Sequence, residues 1–138
     1  MASKSQSSCL FEVDIGSDLG WAVKLLRESL GMLASEAEGQ VRYLKSLFGM
    51  HQLDPYFNVD ELALEFDDVA VLAPQLVADK LVSPEAAGAL QKLDEFLDGM
   101  SGLNHADLWT VSSLATAHEW AVVRTLAQDC LALLPSSA

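Results

Sequence analysis

Apolar residues recur along most of this chain at spacings of three and four, the period of a helix that buries one face. Leu19, Val23, Leu26, Leu30 and Leu33 form the first such stripe. Ser17 or Asp18 caps its start, and the helix is predicted to run to about Ala34. Ser35-Glu36-Ala37-Glu38 then reads as a capping box, the Ser oxygen accepting from the Glu38 amide while the Glu38 side chain reaches back. The second helix extends to Phe48, with Val41, Leu44 and Phe48 inward and Gly49 as its stop.

Residues 51–57 read as a loop marked by Asp54-Pro55, and Asn58-Val59-Asp60-Glu61 as another box-like start. Leu62, Phe66, Val69 and Ala73 lie on one face of a third helix. Pro74 falls inside that pattern. It lacks an amide donor and crowds the preceding turn, so it kinks the helix or begins a new segment, which continues from Gln75 to Leu81. Ser83-Pro84-Glu85 is a strong helix start: a Ser cap, Pro at the first position and an acid in the first turn. Ala86, Leu90, Leu93 and Leu97 follow, and Gly99 and Gly102 end the helix. Residues 103–115 are irregular or short helix anchored by Trp109 and Leu114. Thr116-Ala117-His118-Glu119 is the last predicted capping box. Trp120, Val123, Ala127, Cys130 and Leu134 stripe the final helix, and Pro135 stops it.

One stretch breaks the helical period. Phe11, Val13 and Ile15 alternate with acids, as in a strand, yet no partner strand is predicted elsewhere. It reads as an extended arm packed on helices, or as a pairing edge in a homodimer. Residues 1–8 are Ser-rich and read as a disordered leader. The expected fold is therefore all-α: one domain, residues 9–138, a bundle of five to six helices with a short extended N-terminal arm.

Composition supports a full core. Of the 138 residues, 51% are hydrophobic and 20% charged, so the chain buries enough apolar surface to fold without a disulfide or metal. No apolar window of signal-peptide or membrane-span length is present, so a cytoplasmic location is expected. Cys9 and Cys130 form no metal-spaced pair. They read as free thiols in a reducing compartment, with Cys130 a small buried hydrophobe; the alternative is a disulfide between them.

Charge changes the picture more. The net charge is −12, and it is lopsided: residues 1–45 carry a net −1, residues 46–138 a net −11. No Lys or Arg occurs between Lys45 and Lys80, or between Lys92 and Arg124. Such a field repels nucleic acid and anionic membrane and steers basic proteins inward. Nucleic-acid and membrane partners are thus not expected.

Candidate chemistry is sparse. A twelve-residue frame from Asp54 places Asn58, Asp60 and Glu65 as a calcium loop requires. Tyr56, Val59 and Leu62 stand where a ligand, a glycine and a ligand are needed, so no calcium site is expected. Neither helix-borne acid cluster has a His three residues on, as a dimetal bundle demands. His51, His105 and His118 are scattered. No nucleophile–base pair and no Gly-rich phosphate loop is visible. No catalytic residue, metal or cofactor is expected.

The acids read better as a helix ridge. Glu61, Glu65 and Asp68 align at spacings of four and three, beside Asp60 and Asp67. Like charges at this spacing weaken a helix, and no local cation offsets them, so an outside cation is expected to meet the ridge; the alternative is a merely solvated face. Asp94, Glu95 and Asp98 form a second acidic strip. Tyr56 and Phe57 precede the ridge and either join it as aromatic anchors or tuck onto the bundle. Trp21, Trp109, Trp120 and Tyr43 are the other aromatic anchors, most of them expected in the core.

In size, charge and helix content the chain resembles the small acidic helical immunity proteins that bacteria pair with toxic effectors. The resemblance implies a protein-binding inhibitor without enzymatic activity, which neutralises a basic toxin or effector through Tyr56, Phe57, Asp60, Glu61, Glu65, Asp67 and Asp68. Two other readings remain open. One is a secretion or assembly chaperone with an exposed apolar patch on the last helix. The other is a small-ligand-binding bundle or enzyme with an enclosed cavity.

Overall fold

A computed structural model describes residues 19–49 and 59–135 of the chain. The leader, the alternating arm, Cys9, His51, Tyr56 and Phe57 lie outside the described residues, as do the proposed caps Ser17, Asp18 and Asn58. Every regular element described is helical: α1 Gly20–Ala34, α2 Ala37–Phe48, α3 Glu61–Ala70, α4 Ala73–Ala78, α5 Pro84–Gly99, a 3-10 helix Leu103–Trp109, α6 Val111–Thr116 and α7 His118–Leu133. The all-α class holds, but with eight helical elements among the described residues rather than five to six. Two local causes raise the number. Pro74 falls in the first turn of α4 and starts it as a separate helix. Residues 103–116 fold into the 3-10 helix and α6, with a kink at His105 (φ −121°, ψ 18°).

The four odd-numbered α-helices build the core. α1 packs on α3 and α7, and α5 packs on the same two, closing a ring of four. The predicted stripes face inward: Leu26, Leu30 and Leu33 of α1, Leu62 and Phe66 of α3, Leu90 and Leu93 of α5, Trp120, Val123 and Ala127 of α7 are all buried. Each large side chain so placed contributes roughly 1.5–3 kcal/mol over its exposed state. The other helices fill the periphery, α2 against α6 and α4 against α5. Phe48, expected inward, is 46% exposed, and Trp21, one of the aromatic anchors, is 52% exposed. Trp21 lies on the face of α1 roughly opposite the buried Leu26–Leu30–Leu33 stripe, and Phe48 is the last residue of α2.

Of the predicted caps that can be inspected, one forms. Ser83 Oγ accepts from the Ala86 amide at 3.0 Å. Ser35 instead donates back to the Gly31 carbonyl at 2.8 Å, leaving Glu36 to precede α2 with no side-chain cap bond. Thr116 likewise donates to the Ser112 carbonyl at 2.9 Å, and Ala117 precedes α7. In both cases the hydroxyl closes the preceding helix, because two helices meet with almost no linker and the nearest unpaired backbone oxygen lies behind it.

α4 ends in a Schellman turn. The Lys80 amide donates to the Val77 carbonyl and the Leu81 amide to the Leu76 carbonyl, both at 2.9 Å. Lys80 sits at φ 62°, a left-handed conformation that glycine adopts without strain. Lys80→Gly is expected to raise stability by about 0.5–1 kcal/mol, measured as a higher urea midpoint at unchanged slope.

Two indoles fix the segment between α5 and α7. Trp109 Nε1 donates to the Met100 carbonyl at 2.8 Å and Trp120 Nε1 to the Leu108 carbonyl at 2.6 Å. Their rings meet edge to face, centroids 5.3 Å apart. The Val59 amide in turn donates to the Trp109 carbonyl at 3.0 Å. The start of α3 is thereby pinned beside the end of the 3-10 helix.

At the other end, Gln40 and Arg124 lock the α1–α2 corner. Gln40 is buried, and its Nε2 donates to the Met32 and Leu33 carbonyls of the last turn of α1, each at 3.2 Å. Arg124 from α7 donates to Gln40 Oε1 at 3.2 Å, to the Ser35 carbonyl at 3.0 Å and to the Leu114 carbonyl. Burial pulls the Arg124 guanidinium below its usual basicity, while the nearby Glu36 carboxylate acts in the opposite sense.

Candidate functional site

α3 has no basic residue and four acids, and its helical pitch sends these acids two ways. Relative to the buried Leu62–Phe66–Val69 stripe, Glu61, Glu65 and Asp68 lie about 100° to one side. Asp60 and Asp67 lie about 140° to the other side. Glu65 and Glu61 face Tyr43 of α2, whose phenol is shifted up by burial first and then by these two carboxylates. Asp60 and Asp67 face α5. The expected single ridge is therefore two flanks with the exposed Leu64 between them. The structure brings Asp60 and Asp67 together and separates them from Glu61, Glu65 and Asp68. The alternation was hidden because residues one apart in sequence diverge by about 100° on a helix.

On the α5 side the acids of the two predicted strips meet. Asp60, Asp67, Asp94 and Asp98 line one cleft of about 470 Å³ with Leu64 and Trp109 among its walls. Glu95 points elsewhere and accepts from Gln91 Nε2 at 3.0 Å. Asp94 stands among these acids on α5. Its carboxyl is pushed up from 3.8 by burial, then by a hydrogen bond to Asp67, then by the charges of Asp67, Asp98 and Glu95. An ion pair joins Arg42 to Glu38 at 4.0 Å on exposed α2. No Lys or Arg of the described residues reaches Asp67, Asp94 or Asp98.

This geometry sets a pH dependence. The folded state holds a proton on Asp94 more tightly than the unfolded chain does, so it binds more protons at pH values just above 3.8. Asp94 therefore subtracts stability as pH rises through that window, the reverse of a salt-bridged carboxylate. Asp94→Asn keeps a hydrogen-bonding partner for Asp67 and removes the charge. The variant is expected to unfold at higher urea than the parent at neutral pH, with the difference shrinking as pH falls toward 3.8. An unchanged difference across that range would mean Asp94 titrates normally.

The cleft continues into a second hollow. Asp94 also lines a groove of about 670 Å³ walled by Val71, Pro74, Val77, Ala87 and Gly88. This half is apolar. Nothing in the pattern of α3 or α5 alone announced it, because its other wall is built by Val71, Ala73, Pro74 and Val77 at the turn into α4 and along α4.

Other groups stand apart. His105 and His118 are exposed, on the 3-10 helix and at the start of α7. Cys130 is buried and free, its thiol pushed up to about 11 by burial and by Asp129. Among the described residues no group of three or more His, Cys, Asp or Glu could hold a metal ion, and no helix is long and apolar enough to cross a membrane. Comparison of the chain with protein-family models, with curated proteins and with solved structures finds no match.

Proposed function

We propose that this chain is a protein-binding inhibitor which captures a partner with a basic surface through the α3–α5 cleft, in the manner of an immunity protein that neutralises a basic toxin or effector. The observation that carries the reading is the convergence of Asp67, Asp94 and Asp98 from two helices on one cleft, with no basic side chain of the described residues beside them. Carboxylates held that way repel one another in the free chain, and a partner's Lys or Arg would relieve the repulsion on contact. They would also occupy a nuclease's phosphate-binding surface as phosphates do. A chaperone reading would need a broad apolar patch on α7. Of the large exposed apolar side chains described, α7 contributes Leu133 alone, which favours the acidic face.

The test is co-expression of the full-length protein with the product of the neighbouring gene. A complex is expected at low salt that weakens as salt rises. It should be lost in Asp67→Lys/Asp98→Lys and kept in Glu28→Lys, an exposed acid of α1. Absence of a complex, or equal retention by both variants, removes the reading.

A further inference from the structure

The acidic cleft and the apolar groove share Asp94 and lie along one face of α5. Pro84, Ala87, Gln91, Asp94 and Asp98 follow at spacings of three and four, with Gly88 beside them. That face is about 21 Å long from Pro84 to Asp98 at 1.5 Å per residue. Its near end is floored by small side chains. A Cβ added at Gly88 meets nothing within 4 Å, so the floor is open to an incoming chain. Val71 stands at the rim, 72% exposed. The far end carries Asp67, Asp94 and Asp98.

We propose that this trough receives an amphipathic helix of a partner protein, about four turns long, with apolar side chains over Ala87 and Gly88 and Lys or Arg against the aspartates. The proposal rests on the acidic-face reading above and adds the shape and chemistry of what binds. Charge selects this occupant from the alternatives. A second copy of the chain carries −12 and would meet the aspartates with like charge. Residues 1–18 hold one Lys against Glu12, Asp14 and Asp18, so the chain's own arm mismatches the acidic end as well. A helix is favoured over an extended strand because the trough runs between helices and offers no row of unpaired backbone groups.

The probe is a displayed library of 14-residue peptides with a fixed helical apolar pattern, Lys and Glu being equally frequent at the polar positions. It is panned against the full-length protein. Enriched peptides are expected to gather Lys or Arg at one end and apolar residues at the other, and to gain helical signal on binding. Gly88→Trp fills the apolar half without altering charge, and Asp94→Lys reverses the acidic half. Each is expected to weaken the best peptide about tenfold or more, and Glu28→Lys is expected to leave it unchanged. Gly88→Leu serves as a smaller block should the Trp variant lose cooperative unfolding.

No enrichment, enrichment of acidic peptides, or full binding by the Gly88 variants overturns the proposal. So does peptide binding that appears only after residues 1–18 are removed, which assigns the trough to the chain's own arm. A wild-type dimer that becomes a monomer on Gly88 substitution overturns it in favour of a second copy. A co-expressed complex lost on aspartate reversal but intact in Gly88→Trp sinks the trough and leaves the acidic-face reading standing.

Discussion

Replacing Trp120 with Ala is expected to destabilise the fold by about 3–5 kcal/mol, a large share of the roughly 5–15 kcal/mol that holds a domain of this size together. Trp120 is fully buried in the ring of four helices, and truncation there leaves a void that rigid neighbours fill only in part. Two further losses accompany the void. The Leu108 carbonyl loses the indole donor now 2.6 Å away, and Trp109 loses its edge-to-face neighbour. The damage should spread, because Trp109 carries the carbonyl that holds the Val59 amide and so the start of α3. Trp120→Phe separates these effects. It keeps the six-membered ring, deletes the hydrogen bond and leaves a smaller void, for an expected cost of about 1–3 kcal/mol. Urea denaturation followed by far-ultraviolet circular dichroism reads both. A Trp120→Ala variant within about 1 kcal/mol of the parent would contradict the packing described.

Arg124→Leu is expected to cost about 2–3 kcal/mol. The guanidinium serves three oxygens on three different elements: Gln40 Oε1 of α2, the Ser35 carbonyl at the α1–α2 corner and the Leu114 carbonyl of α6. Leucine keeps an apolar stem yet leaves these acceptors in a partly buried corner without their donor. Lysine should rescue little, since one ammonium cannot present donors in three directions. The same corner predicts non-additivity. Gln40→Leu alone strips the Met32 and Leu33 carbonyls of their donor, and the double variant should cost about 1 kcal/mol less than the sum of the two singles. Additive losses would mean that Gln40 and Arg124 act independently.

The legible parts of this molecule were those set by local spacing. The α5 stripe, its Ser83 cap and the α7 stripe from Trp120 to Leu134 could be read residue by residue, because helical period and N-cap chemistry involve neighbours three or four apart. The Ser35 and Thr116 boxes misled for a physical reason: a hydroxyl between two abutting helices can serve either, and sequence does not say which carbonyl is nearer. Gln40 carried a signal that went unread. It lies one turn before Leu44 on the inward face of α2, and a polar side chain in an apolar slot marks a buried hydrogen-bonding duty. Its partner Arg124 is 84 residues away, beyond any local pattern. The acidic site was visible as composition and half-visible as geometry. Spacing placed Glu61, Glu65 and Asp68 together, but only the α3–α5 packing could show that Asp67 belongs with Asp94 rather than with Asp68.

The closure of α1 against α7 has a consequence during synthesis. These two helices are principal neighbours, yet about a hundred residues separate them in sequence. At translation rates of about 5–20 residues per second, α1 waits roughly 5–20 seconds for its cover to emerge from the ribosome. Throughout that interval the α1 seam of Leu26, Leu30 and Leu33 has α3 to pack against but not α7. A chain stalled before His118 therefore carries this leucine seam without its α7 cover, and is expected to associate with holdase chaperones and to be degraded faster than the chain that includes α7.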